Sequence, residues 1–155
     1  MDAIGLATLR AELEADGAVL RHASEAARDR FGRGTAPELE ASAFQLVRFY
    51  NVAEQLALRV VKAFENHIDD ERGRPSELLR RLSLRIGGVR PALFPAEMLR
   101  DLQDVRGFRH IVVHAYDLVL NKEKMPPLLE AAERISAQLP GAVDRFLEEV
   151  AAEVE

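Results

Sequence analysis

Two of the chain's four histidines stand together in the stretch from Asp104 to Asp117, Asp-Val-Arg-Gly-Phe-Arg-His-Ile-Val-Val-His-Ala-Tyr-Asp. At about 100° per residue, Leu102, Val105, Phe108, Val112, Ala115 and Val119 make an apolar stripe along one side of a helix. His110, His114 and Asp117 fall on the opposite side at spacings that make their side chains neighbours. Arg109 and Tyr116 flank the stripe. A helix that only filled a core would not need such a polar face, so this segment is read as the chemical centre of the chain.

Two kinds of chemistry suit these residues. His110-x3-His114 has zinc spacing, with Asp117 as a third ligand one turn on. Position 111 is Ile, however, so the Glu of a His-Glu-x-x-His metalloprotease is missing. The preferred reading is metal-free acid–base work on a phosphodiester. One imidazole removes a proton from the attacking hydroxyl while a cation steadies the developing charge. Arg109 suits the second task because its planar fork grips phosphate oxygens in two places. No metal and no cofactor is needed.

Charge points to the same region. The chain carries 21 Lys/Arg against 26 Asp/Glu, a net charge of −5, which argues against general coating of nucleic acid. From Arg72 to Lys124, however, there are 11 basic and 6 acidic residues, a local +5. This asymmetry suggests an anionic ligand meeting one face.

The rest reads as scaffold. With 155 residues, 48% hydrophobic and 30% charged, a single domain spanning 1–155 with a real core is expected. Cysteine is absent, which removes disulfides, thiolate zinc sites and cysteine nucleophiles. No apolar run approaches the roughly 20 residues of a membrane span. The Met-Asp-Ala-Ile-Gly-Leu start lacks the features of a signal peptide, so a cytoplasmic location is expected.

Leu6, Leu9, Leu13, Leu20, Ala23, Ala27 and Phe31 predict a long helix from about 4 to 32, with Gly17 a weak spot. Gly32-Arg33-Gly34 stops it. Thr35-Ala36-Pro37-Glu38 is a capping-box start, and the helix that follows is predicted to run to about Asp69. Within it, Tyr50 and Glu54 share a face and Asn51 lies beside Tyr50. The plain reading is a half-buried tyrosine with polar neighbours; the functional one is a second wall of the site.

Glu71 to Pro75 reads as a turn, and Ser76 to about Ile86 as a short helix ended by Gly87-Gly88. Pro95 opens the helix bearing the polar face, and Gly107 within it suggests a bend or a close helix contact. A last helix starts at Pro126-Pro127, and Pro140-Gly141 should kink or break it. No alternating strand pattern is present. The predicted fold is all-α, an up-down bundle of four or five helices.

Arg109-His110-Ile111-Val112-Val113-His114 fits the Arg-x4-6-His signature of the HEPN superfamily, with His110 as the polar residue favoured after the arginine. His114-Ala115-Tyr116 extends it to the Arg-x4-His-x-Tyr pattern of HepT-type toxins. The wider string, the Tyr50-Asn51 helix and the Leu-rich basic helix resemble the HepT-like branch over roughly residues 35 to 150.

The resemblance implies a helical homodimer that cuts RNA without metal. Arg109 and His114 would be the catalytic pair in a cleft between protomers, with His110, Tyr116 and Asn51 supporting. RNA is then cut by its own 2′-hydroxyl, leaving a cyclic phosphate and a 5′-hydroxyl. The implied partner is a nucleotidyltransferase-like antitoxin, which in some members attaches AMP to the motif tyrosine, here Tyr116. The alternative is a non-catalytic HEPN module that binds a nucleotide or such a partner. Five residues apart, Arg109 and His114 diverge by about 140° on a regular helix, which favours a site shared across a two-fold axis.

Overall fold

The structure, a computed structural model, describes residues 1–65, 75–115 and 119–154. Its elements are α1 (Ala3–Arg33), α2 (Ala36–Phe64), α3 (Pro75–Arg81), α4 (Ala96–His114), a single 3-10 turn (Lys122–Lys124) and α5 (Pro126–Val154). No strand occurs among the described residues. The chain is an all-helical bundle of five α-helices, as the periodicity predicts.

The long helices begin and end where side chains can satisfy their free backbone groups. Asp2 accepts from the Gly5 amide at 2.7 Å and opens α1. Gly34 closes it at φ 78°, a left-handed conformation that glycine adopts without steric penalty. Thr35 then accepts from Glu38 N and opens α2, with Pro37 in the first turn. The antiparallel pair α1 and α2 is joined by this tight corner, and α5 packs against both α1 and α4.

One core runs through the bundle. Leu13 and Leu20 of α1, Leu46, Phe49 and Leu56 of α2, Leu102 and Val105 of α4, and Ile135 and Phe146 of α5 are all buried. Phe64 meets Phe146 edge-on, with ring centres 5.5 Å apart. Ion pairs such as Arg10–Asp144, Arg28–Glu133 and Arg134–Asp101 join the helices at the exposed rim. Such pairs contribute little each, so burial holds the bundle together.

Several boundaries differ from expectation. α2 ends at Phe64 and not near Asp69, because Glu65 is extended and turns its carboxylate to Arg81 and Arg90. Residues 66–74, which include the expected Glu71–Pro75 turn up to Arg74, lie outside the described residues, and Pro75 opens α3. α3 stops at Arg81, five residues before Ile86. Its terminal carbonyls find other donors: Arg90 Nη2 reaches Arg81 O and Ser83 Oγ reaches Arg80 O. Gly88, at φ 74°, then turns the chain so that Ile86 and Arg90 pair. Pro140 does not break α5, which runs unbroken from Pro126 to Val154. Pro140 is exposed, while Leu139, Val143, Phe146 and Leu147 anchor the helix to the core on both sides of it.

Gly107 marks no close helix contact. It is exposed, and a Cβ there would meet nothing within 4 Å. Gly107→Ala is therefore expected to stabilise the protein by about 0.5–1 kcal/mol, through helix propensity alone. Urea unfolding checks this: a lower midpoint would show that the backbone at 107 needs glycine.

Candidate functional site

α2 and α4 carry the polar residues, and their packing brings Arg109 to Asn51. Arg109 Nε donates to Asn51 Oδ1 at 2.7 Å. The same guanidinium lies over the ring of Tyr50, 5.5 Å from its centre, within cation–π range. Tyr50 itself is fully buried rather than half-buried, because its ring fills the core between the two helices. Arg109 is thus gripped from below by a ring and from one side by an amide, and among the described residues its Nη groups make no ion pair.

Among the described residues of the basic segment, Arg100, Arg106, Lys122 and Lys124 share that freedom, while the other cations are paired. Arg81 pairs with Glu65, Arg85 with Glu149 and Glu153, and Arg90 is buried beside Glu65. Among the described residues, no carboxylate lies within 4.0 Å of Arg106 or Arg109. Pairing therefore neutralises part of the local excess of positive charge, and Arg106 and Arg109 are two of the cations it leaves.

His110 and His114 stand on the exposed last turn of α4. Their rings are tilted by 50° with centres 4.6 Å apart, so the two side chains are in contact. Asn51, Arg109 and the two histidines thus form two groups, Asn51 with Arg109 and His110 with His114. Arg109 and His114 diverge by about 140° along the regular helix.

α4 ends sooner than the apolar stripe suggests. Ala115 is extended and caps the helix by donating to Ile111 O, and Val119 is 88% exposed. The β-branched run Ile111-Val112-Val113 weakens the last turn, and burial fades beyond Phe108, so nothing holds the helix further. Tyr116 and Asp117 lie outside the described residues. Among the described residues, no three His, Asp or Glu side chains are grouped to hold a metal ion.

Two features escaped the sequence reading. Arg106 sits one turn before Arg109 and borders Tyr50, but a lone basic residue on a helix face has no pattern to reveal it. An open apolar groove of about 700 Å³ lies between the first half of α2 and the end of α4. Leu39, Phe44, Val47, Val112 and Val113 line it, and Phe44 and Val113 are 64% and 53% exposed. Phe44 could have been flagged, since it falls outside the Leu39–Ala43–Leu46–Tyr50 stripe. Exposed apolar area of this kind is a usual mark of an interaction surface.

Burial pushes the Tyr50 phenol well above the ordinary tyrosine range, and the neighbouring Glu54 carboxylate adds to the effect against Arg106 and Arg109. A folded-state pKa above the unfolded value contributes stability that is complete below the unfolded value, about 10, and lost as pH rises beyond it. Thermal melts should therefore show an alkaline loss above about pH 10 that Tyr50→Phe diminishes. An unchanged alkaline slope in the variant would contradict this assignment.

No curated protein and no solved structure matches the chain significantly. No helix among the described residues is long and apolar enough to cross a membrane. A family model does match, that of the HepT-like proteins, over residues 41–150. This span takes in α2 from Ala41 onward with Tyr50 and Asn51, the whole of α4 and most of α5. With a helical bundle carrying the Arg-x4-His-x-Tyr string, the chain belongs to the HepT-like family.

Proposed function

We propose that the protein is the toxin of a toxin–antitoxin pair, a metal-independent endoribonuclease with its site in a cleft between two protomers. The observation that carries this reading is the Arg109 guanidinium, positioned by Asn51 and Tyr50 yet lacking an ion pair among the described residues, on the helix that ends in His110 and His114. Arg109 binds the scissile phosphate and steadies the charge that develops on it. His114 takes the proton from the 2′-hydroxyl, and His110 supports it through the ring contact.

A two-fold partner resolves the divergence of Arg109 and His114. One protomer's arginine then faces its partner's histidine, and the apolar groove with Ile111, Val113 and Phe44 is covered. The protein alone is expected to run as a dimer in light scattering. A monomer that still cuts RNA at high concentration would contradict the shared cleft.

The assigned partner is a nucleotidyltransferase-like antitoxin, with Tyr116 as the acceptor of AMP. A bulky anion beside Arg109 would compete with RNA phosphate and pair with the guanidinium. The test of the whole reading is induced expression without the antitoxin, followed by incubation of the purified protein with RNA in chelator. Cleavage to 2′,3′-cyclic phosphate ends is expected. Intact RNA, or cleavage abolished by the chelator, would overturn it. Co-expression with the antitoxin should add the mass of AMP at Tyr116; full inhibition without added mass would mean that binding alone inhibits.

A further inference from the structure

Behind Arg109 lies a polar cluster that the proposed reaction does not use. Tyr50 Oη, Glu54 Oε2 and Arg106 Nε are each buried, and none has a hydrogen-bond partner among the described residues. Tyr50 and Glu54 stand one turn apart on α2, and Arg106 and Arg109 one turn apart on α4, so each pair shares a helix face. The two helices pack together, and the Arg109 guanidinium rests on the Tyr50 ring. The Tyr50 phenol senses the charges of Glu54, Arg106 and Arg109 alike.

The unpartnered atoms are complementary in kind. A phenol O–H and a guanidinium Nε–H donate, while a carboxylate oxygen accepts. A buried polar group without a partner is costly, and three in one place call for an explanation. Glu54 supplies the one acceptor of the three that can serve both donors. It can do so without pairing with Arg109, whose Nε is already taken by Asn51.

We infer that Glu54 is a positioning residue of this site: acting through the Tyr50 hydroxyl and Arg106, it fixes the ring on which the Arg109 guanidinium rests and so aims that guanidinium at an anion. Its carboxylate balances Arg106 from behind and leaves the charge of Arg109 for the ligand. The inference builds on the ribonuclease reading but is tested apart from it.

The experiment follows the Arg109 Nε–H signal by proton–nitrogen NMR in the full-length wild type, Glu54→Gln and Tyr50→Phe proteins, with inorganic phosphate as probe. In the wild type, the signal should exchange slowly because of Asn51, and shift on phosphate addition. Glu54→Gln keeps the shape and removes the charge. It should move the free-state signal, speed its exchange and weaken the phosphate response, with the circular dichroism of a folded bundle. RNA cleavage should then fall about tenfold in kcat with KM within about twofold, because a guanidinium out of place by an ångström loses transition-state contacts first. Glu54→Asp, which restores the charge, should recover part of that loss.

An Arg109 signal unchanged in folded Glu54→Gln overturns the inference and leaves the ribonuclease reading standing. A displaced signal in a protein whose wild type cuts no RNA does the reverse. Where Glu54→Gln fails to fold, Tyr50→Phe decides: it removes only the hydroxyl, and an unchanged Arg109 signal there also overturns the inference.

Discussion

Arg109→Ala and His114→Ala are each expected to lower RNA cleavage by roughly 10²–10⁴-fold, the range for losing a charge-stabilising donor or a general base. Neither substitution should unfold the protein. His114 is exposed, and Arg109 is half-buried at the edge of the bundle, while the core beneath them, Leu102, Val105 and Tyr50, is untouched. His110→Ala should cost less, because His110 acts on the site through its ring contact with His114. Single-turnover cleavage in chelator, with circular dichroism as the check on folding, measures all three. A fully active His114→Ala protein would remove the proposed general base.

The largest expected effect on stability comes from a residue far from the chemistry. Arg90 is 1% exposed and donates to three main-chain carbonyls: Leu84 O at 3.0 Å, Pro91 O at 3.2 Å and Arg81 O at 3.0 Å. Its guanidinium also lies 3.6 Å from the Glu65 carboxylate. Burial lowers its pKa, and the carboxylate works against that shift. Arg90→Ala strands three acceptors and leaves Glu65 with Arg81 as its remaining cation. The expected loss is about 3 kcal/mol. Arg90→Lys should recover little of it, since one ammonium cannot reproduce a planar fork spanning three carbonyls. Urea unfolding checks both variants; a change under about 1 kcal/mol in Arg90→Ala would show that these bonds are replaced by water.

The bundle is legible in the sequence because each long helix pairs a helical apolar period with a local start signal. Thr35, Pro95 and Pro126 stand at observed helix starts, and Gly34 at an observed end. The misread boundaries lie where tertiary contacts override local pattern. α3 is cut short by Arg90, a residue nine positions on that takes its carbonyl, and no local motif announces that bond. α4 stops at His114 because its apolar stripe continues in sequence without anything to pack on. Pro140 is tolerated because the residues around it are fastened to other helices.

The candidate site divides in the same way. Arg109, His110 and His114 are visible because residue type and spacing together suggest acid–base chemistry. The approach of Asn51 to Arg109 joins residues 58 positions apart and depends on how α2 meets α4. Spacing already places Glu54 beside Tyr50, whereas Arg106 gains meaning only from burial, which a single sequence does not display.

Mixing two inactive variants tests the shared cleft most directly. Purified Arg109→Ala and His114→Ala proteins are combined, dissociated and reassociated, and RNA cleavage is measured in chelator. In a cleft that takes Arg109 from one protomer and His114 from its partner, each mixed dimer holds one intact site and one doubly damaged one. Random reassociation should then restore about a quarter of wild-type activity from two inactive parents. A mixture as inactive as its parents, in samples shown by mass to contain mixed dimers, would contradict the account.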